Sequence, residues 1–184
     1  MTVDREQVLR AAAALLSRRA TATMDEVAKS AGIGRATLHR HFAGRDALVR
    51  ALEDLGLREL ETAIEAARPE EGSAADALRR LIAGTAPAAP LLGFLISENQ
   101  LFEDEGMNEG WARVDAVFAA LFQRGQESGE FRVDLTAVWL TEALYGLLSA
   151  GAWAVQGGRV ATKDYQYMIA ELMLGGCIRR SVET

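Results

Sequence analysis

The stretch Thr23–Arg45, TMDEVAKSAGIGRATLHRHFAGR, constrains the fold most, because two short amphipathic helical patterns meet in it across a glycine turn. Thr23 and Glu26 have the spacing of a capping box, in which each side chain satisfies a backbone N–H that a helix start leaves open. A helix is therefore predicted from about Met24, with Met24, Val27, Ala28 and Ala31 on one apolar stripe. Gly32 ends it. Glycine reaches positive φ without a Cβ clash, so Ala31-Gly32-Ile33-Gly34 can supply a helix end, a tight turn and a second start. The second helix is predicted over Arg35–Phe42, with Leu38 and Phe42 inward and Arg35, Ala36, Thr37, His39, Arg40 and His41 outward. That outer face carries the donors a major-groove helix needs, and the pair has the form of a helix-turn-helix.

The string T-M-D-E-V-A-K-S-A-G-I-G-R-A-T-L-H-R-H-F-A-G-R-D-A-L resembles, without a gap, the DNA-binding signature of the TetR family of bacterial regulators. That signature reads T-x-x-x-[IV]-A-x-x-A-G-[VI]-s-x-g-[TL]-[LF]-Y-x-[HY]-F-x-[SG]-K-x-x-L. Three positions depart from it: His39 stands where tyrosine is usual, Arg45 where lysine is usual, and Gly34 where a serine cap is common. His39 can still donate to a phosphate, and Arg45 keeps the charge with a forked donor set. The resemblance implies an all-α fold, with a three-helix head over residues 1–48 and a larger helical ligand-binding and dimerisation body over 49–184. Arg35 and Arg40 are the candidates for base edges and Ala36 for a thymine methyl. Thr23, Thr37, His39, His41 and Arg45 are the candidates for phosphate oxygens.

Charge supports this orientation. The chain of 184 residues carries a net −6, yet its first fifty residues hold nine Lys or Arg against five Asp or Glu, net +4, and the remainder is net −10. A basic head on an acidic body attracts a polyanion at one end only. With 49% apolar and 25% charged residues and three prolines, the composition suits an ordinary helical protein. The single cysteine, Cys177, cannot form an intrachain disulfide, and the opening Met-Thr-Val-Asp-Arg-Glu lacks the apolar core of a signal peptide. A cytoplasmic location is the expectation.

Outside the helix-turn-helix, helical patterns are predicted over Asp4–Arg19, Gly44–Ala67, Ala74–Gly84, Leu91–Glu103, a segment from Trp111 to near Gly129, Ala137–Val155 and Thr162–Arg180. Phe94, Glu98 and Phe102 share one helix face, and Trp111, Asp115 and Phe118 another. Two aromatic faces with one acid each could border an apolar ligand pocket, or could be packed core with acids at its edge. Ala137–Val155 carries only Glu142 as a charge, but its internal glycines and the absence of flanking basic clusters argue against a membrane span. Its apolar arc is wide, with Trp139, Ala143, Gly146, Ala150 and Trp153 on one side. Tyr165, Ile169, Leu172, Met173 and Gly176 form the matching face of the last helix. A helix apolar over so wide an arc suits burial on its own body and on a partner chain, so these ten residues are the candidate dimer interface.

The reading is a homodimeric, sequence-specific regulator of transcription, with a palindromic duplex operator and a small-molecule effector as partners. A repressor relieved by the effector is favoured. Catalysis is not expected: His39 and His41 at i and i+2 point to different sides of a helix, Cys177 is alone, and no metal or cofactor set is evident. The alternative is a helical dimeric adaptor or ligand-binding protein that has lost DNA binding.

Overall fold

The structure is a computed structural model and describes residues 4–97 and 105–178. Those residues form nine α-helices and one short 3-10 turn. The head begins with α1 (Arg5–Leu16), started by Asp4, whose carboxylate accepts from the Glu6 N–H. Then come α2 (Met24–Ser30) and α3 (Arg35–His41), seven residues each. The capping box is complete: Thr23 Oγ1 accepts from the Glu26 N–H, while the Glu26 carboxylate accepts from the Thr23 N–H at 2.8 Å. Gly32 sits at φ 67°, the left-handed conformation that turns the chain from α2 to α3.

The body follows as α4 (Arg45–Ala67), α5 (Ala74–Thr85), α6 (Ala89–Ser97), α7 (Glu105–Glu127), α8 (Ala137–Gln156) and α9 (Tyr165–Cys177). Helix α6 starts two residues before the predicted Leu91. Pro90 is tolerated there because the first turn of a helix has no intrahelical use for its N–H. Ser73 caps α5 and Thr136 caps α8 through their hydroxyl oxygens. An isolated antiparallel bridge between Phe131 and Ile178 ties the α7–α8 loop to the end of α9, with the Arg132 N–H donating to the Cys177 carbonyl at 2.8 Å.

Two hydrophobic cores result. One gathers Val8, Leu9, Ala12 and Leu16 of α1, Val27 and Ala28 of α2, and Leu38 and Phe42 at α3, with Leu48, Leu52 and Leu55 of α4. The other is built on Leu60, Leu78, Leu81, Ile82, Phe118, Phe122 and Phe131, with the inner faces of α8 and α9. Helix α4 contributes its first half to one core and its second half to the other, so a rotation of this helix moves both. Helix α6 joins the head core through Leu91, Phe94 and Leu95, and Trp111 of α7 packs against both cores. Close approach between α8 and α9 depends on Gly151, where a Cβ would lie 2.7 Å from the Tyr165 ring and 2.9 Å from Ile169.

Candidate nucleic-acid interface

Helix α3 spends one residue, Leu38, on the core, and its C-cap Phe42 adds a second. The rest of the helix faces outward. Arg35, Ala36, His39 and Arg40 are exposed, while Thr37 and His41 are half-buried. The Arg40 guanidinium donates to Thr37 Oγ1 at 3.0 Å, and Arg35 lies 3.3 Å from the Asp25 carboxylate in the first turn of α2. Both arginines are thus laid along the outer surface of the α2–α3 pair. A pair this exposed is worth little on its own, so exchange of Asp25 for a phosphate or a base edge costs little. Thr23 is exposed at the α2 start, where the capping box holds Glu26 below the usual carboxylate range. The Thr23 backbone N–H is the main cause, followed by its hydroxyl and by Arg19, which pairs with Glu26.

Arg45, a candidate for a phosphate oxygen, is engaged within the protomer. It is half-buried, and its guanidinium donates to the Ala22 carbonyl at 3.0 Å and the Ala20 carbonyl at 2.5 Å. The forked donor set that distinguishes arginine from lysine spans two carbonyls of the α1–α2 turn, pinning that turn and the Thr23 cap to the start of α4.

Four of the six expected ligand residues are described, and they are divided between the two cores and the surface. Phe94 is buried in the head core and Phe118 in the body core. Asp115 is exposed and accepts from the Tyr145 hydroxyl at 2.6 Å, and burial together with that carboxylate raises the Tyr145 pKa far above the usual phenol range. Trp111 is half-buried, with its indole N–H lacking a hydrogen-bond partner among the described residues. Glu98 and Phe102 lie outside the described residues. Pockets of about 430 Å3 between α4 and α7, beside Ile64, Leu121 and Arg124, and of about 390 Å3 where Arg10, Glu59, Pro90 and Gln156 meet, are open at the surface and touch none of the expected six. Sequence reasoning missed Glu53, a carboxyl on α4 only 2% exposed. Its signal was available: Glu53 shares the helical spacing of Gly56, Leu57 and Leu60.

On α8, Trp139 and Trp153 are 59% and 61% exposed, Ala150 is exposed and Gly146 has open space around it, while Ala143 is half-buried against the protomer's own core. On α9 the faces differ. Tyr165, Ile169 and Met173 are each 4% exposed and belong to the protomer's own core, where Gly151 admits the first two. The outward side of α9 is Met168 and Leu172, with Gly175 and Gly176.

A capped α2, a glycine turn and a donor-rich α3, set on an all-α body, define a helix-turn-helix regulator of transcription. Residues 8–52 match the family model described as bacterial regulatory proteins, tetR family. Over 173 residues the chain is 34% identical to the HTH-type transcriptional regulator NfxB of Pseudomonas aeruginosa, covering 93% of this chain and 92% of that one. It is 28% identical over 158 residues to the HTH-type transcriptional repressor LfrR of Mycolicibacterium smegmatis, covering 84% and 80%. The solved structure of LfrR in complex with proflavine superposes with a TM-score of 0.78 at 26% identity, over 96% of this chain and 97% of that one. The chain belongs to the TetR family. It is a DNA-binding transcriptional regulator and not an enzyme.

Proposed function

We propose that the protein is a homodimeric repressor whose two α3 helices read successive major grooves and whose body binds a small molecule that releases the operator. The observation that carries this is the outer face of α3, where Arg35, Ala36, His39 and Arg40 are all exposed while Leu38 and the C-cap Phe42 anchor the helix. Arg35 and Arg40 reach base edges, Ala36 meets a thymine methyl, and Thr23, Thr37, His39 and His41 hold phosphates. The contribution of Arg45 is to fix the turn that carries Thr23. The dimer forms on the uncovered apolar face of α8 and α9, led by Trp139, Trp153 and Leu172.

Coupling runs through geometry. A two-fold dimer must place its recognition helices roughly 34–36 Å apart to enter successive grooves. Helix α4 is shared between the two cores, so a ligand that shifts the body rotates the head. Hundredfold release requires the ligand to favour the wrong spacing by about 2.7 kcal/mol. The effector is an aromatic cation bound beside Trp111 and the Asp115–Tyr145 pair. A half-buried indole beside an exposed carboxylate suits such a ligand, and LfrR has been solved with proflavine. The test is fluorescence anisotropy of an operator duplex selected by the protein, titrated with proflavine. Release of the duplex, weakened in Asp115→Asn and Trp111→Leu, supports the reading. Saturable proflavine binding without any change in operator affinity refutes the coupling.

A further inference from the structure

Arg5, the first residue of α1, has its guanidinium carbon 4.9 Å from the centre of the Phe42 ring, at the C-terminal end of α3. Phe42 also neighbours the His41 ring, with centroids 6.2 Å apart. One aromatic side chain therefore brings a residue from the very start of the fold to the end of the recognition helix. Arg5, like Arg18, Arg40 and Arg50, forms no ion pair with a carboxylate among the described residues, whereas four other arginines of the head are engaged within the protomer. Arg10 is held by Glu6 and Glu59, Arg19 by Glu26 and Arg35 by Asp25. Arg45 is turned onto carbonyls. Arg5 is exposed, and its contact is the Phe42 ring.

Placement over the ring matters because the guanidinium is a planar cation. When its face rests on an aromatic ring, its N–H donors stay in the plane and point outward, and the cation–π contact restrains the side chain without neutralising it. A cation held in that way is ready to take an oxyanion. We propose that Arg5 is a DNA-backbone contact, a phosphate clamp that flanks the C-terminal end of α3 and is seated there by Phe42. This rests on the DNA-binding reading of α3 and adds to it a residue outside the helix-turn-helix.

The competing role is cover: the Arg5 stem could simply shield Phe42, which is 2% exposed. Arg5→Met separates the two, because methionine still covers the ring but carries no charge. Arg5→Lys keeps the charge and loses the forked donor set, and Arg5→Gln serves as a second neutral variant. Each full-length protein is titrated by anisotropy against a random-sequence duplex and a selected operator, across a salt series, with thermal unfolding measured alongside. The slope of log affinity against log salt falls by roughly 0.9 per phosphate contact, about 1.8 for a dimer. The advantage of wild type over Arg5→Met then shrinks about tenfold between 50 and 200 mM salt, equally on both duplexes, with unfolding unchanged. Arg5→Lys keeps the wild-type slope. A wild-type slope in Arg5→Met and Arg5→Gln overturns the proposal and leaves Arg5 as cover for Phe42. A loss confined to the operator overturns it in favour of base reading. Wild-type protein that binds no duplex at any salt overturns the regulator reading itself, an outcome distinct from both.

Discussion

Replacing Arg45 by alanine separates two roles for the residue that stands where the family usually has lysine. The guanidinium makes two hydrogen bonds to carbonyls of the α1–α2 turn, one part-buried at 3.0 Å to Ala22 and one exposed at 2.5 Å to Ala20. A buried hydrogen bond to a charged group contributes about 1.5–3 kcal/mol, an exposed one well under 1 kcal/mol, and freed turn carbonyls recover some solvation. The expected destabilisation is about 2 kcal/mol, or about 4–8 °C in Tm for a chain of this size. Arg45→Lys offers a single point donor in place of a fork and recovers at most one of the two bonds, so it falls near halfway. Urea unfolding supplies the stability. Anisotropy titrations over a salt series supply the second readout. Because the guanidinium is committed to carbonyls, Arg45→Ala weakens specific and random duplexes alike through a displaced turn, and the salt slope stays that of wild type. Unchanged stability together with a slope lower by about one unit per protomer refutes the clamp and restores a phosphate contact.

Trp153→Asp places a charge in the exposed apolar face of α8; given the 61% exposure of Trp153, covering it in a dimer contributes about 2–3 kcal/mol, so dissociation by dilution in light scattering shifts at least about thirtyfold. Glu130 accepts from the Ala74 and Ala75 N–H groups at the start of α5, and the Ala74 bond is the main cause holding its carboxyl below the usual range. Its contribution is present above the unfolded-state carboxyl pKa and is lost as pH falls through the lower folded value, so Glu130→Gln is less stable at pH 7 and the gap closes in acid. Gly125→Ala would put a Cβ 2.2 Å from the buried Phe131 ring, and about 1–3 kcal/mol of unfolding free energy is lost. Gly146→Ala meets nothing within 4 Å in the protomer and raises helix propensity, so it leaves protomer stability unchanged or higher.

The head was readable because its signals are local. The Thr23–Glu26 box, the turn at Gly32 and the inward pair Leu38 and Phe42 each follow from spacing of a few residues, and each lies where spacing puts it. The body was readable as helices but less so as faces. Helix α9 is apolar on most of its circumference, so periodicity cannot say which half meets the core; Gly151, on another helix, decides it by admitting Tyr165 and Ile169. Phe94 and Phe118 share a type and a helical setting, yet the Phe94 face of α6 joins the head core while Ala89 and Leu92 of the same helix and Phe118 of α7 join the body core, a partition set by tertiary packing. The Arg45 fork was invisible for a related reason. Its acceptors are backbone carbonyls more than twenty residues upstream, and carbonyls carry no sequence signature. Arg5 and Phe42 likewise meet only once α1 has folded across the head.

Selection of duplexes from a random pool by the purified full-length protein, with its mass in solution recorded alongside, tests the central claim most directly. A dimer that enriches a partly palindromic site, with half-sites one helical turn apart and enrichment relaxed by Arg35→Ala, is the predicted result. A well-folded dimer that enriches nothing above the starting pool contradicts it and points to an adaptor built on the same fold.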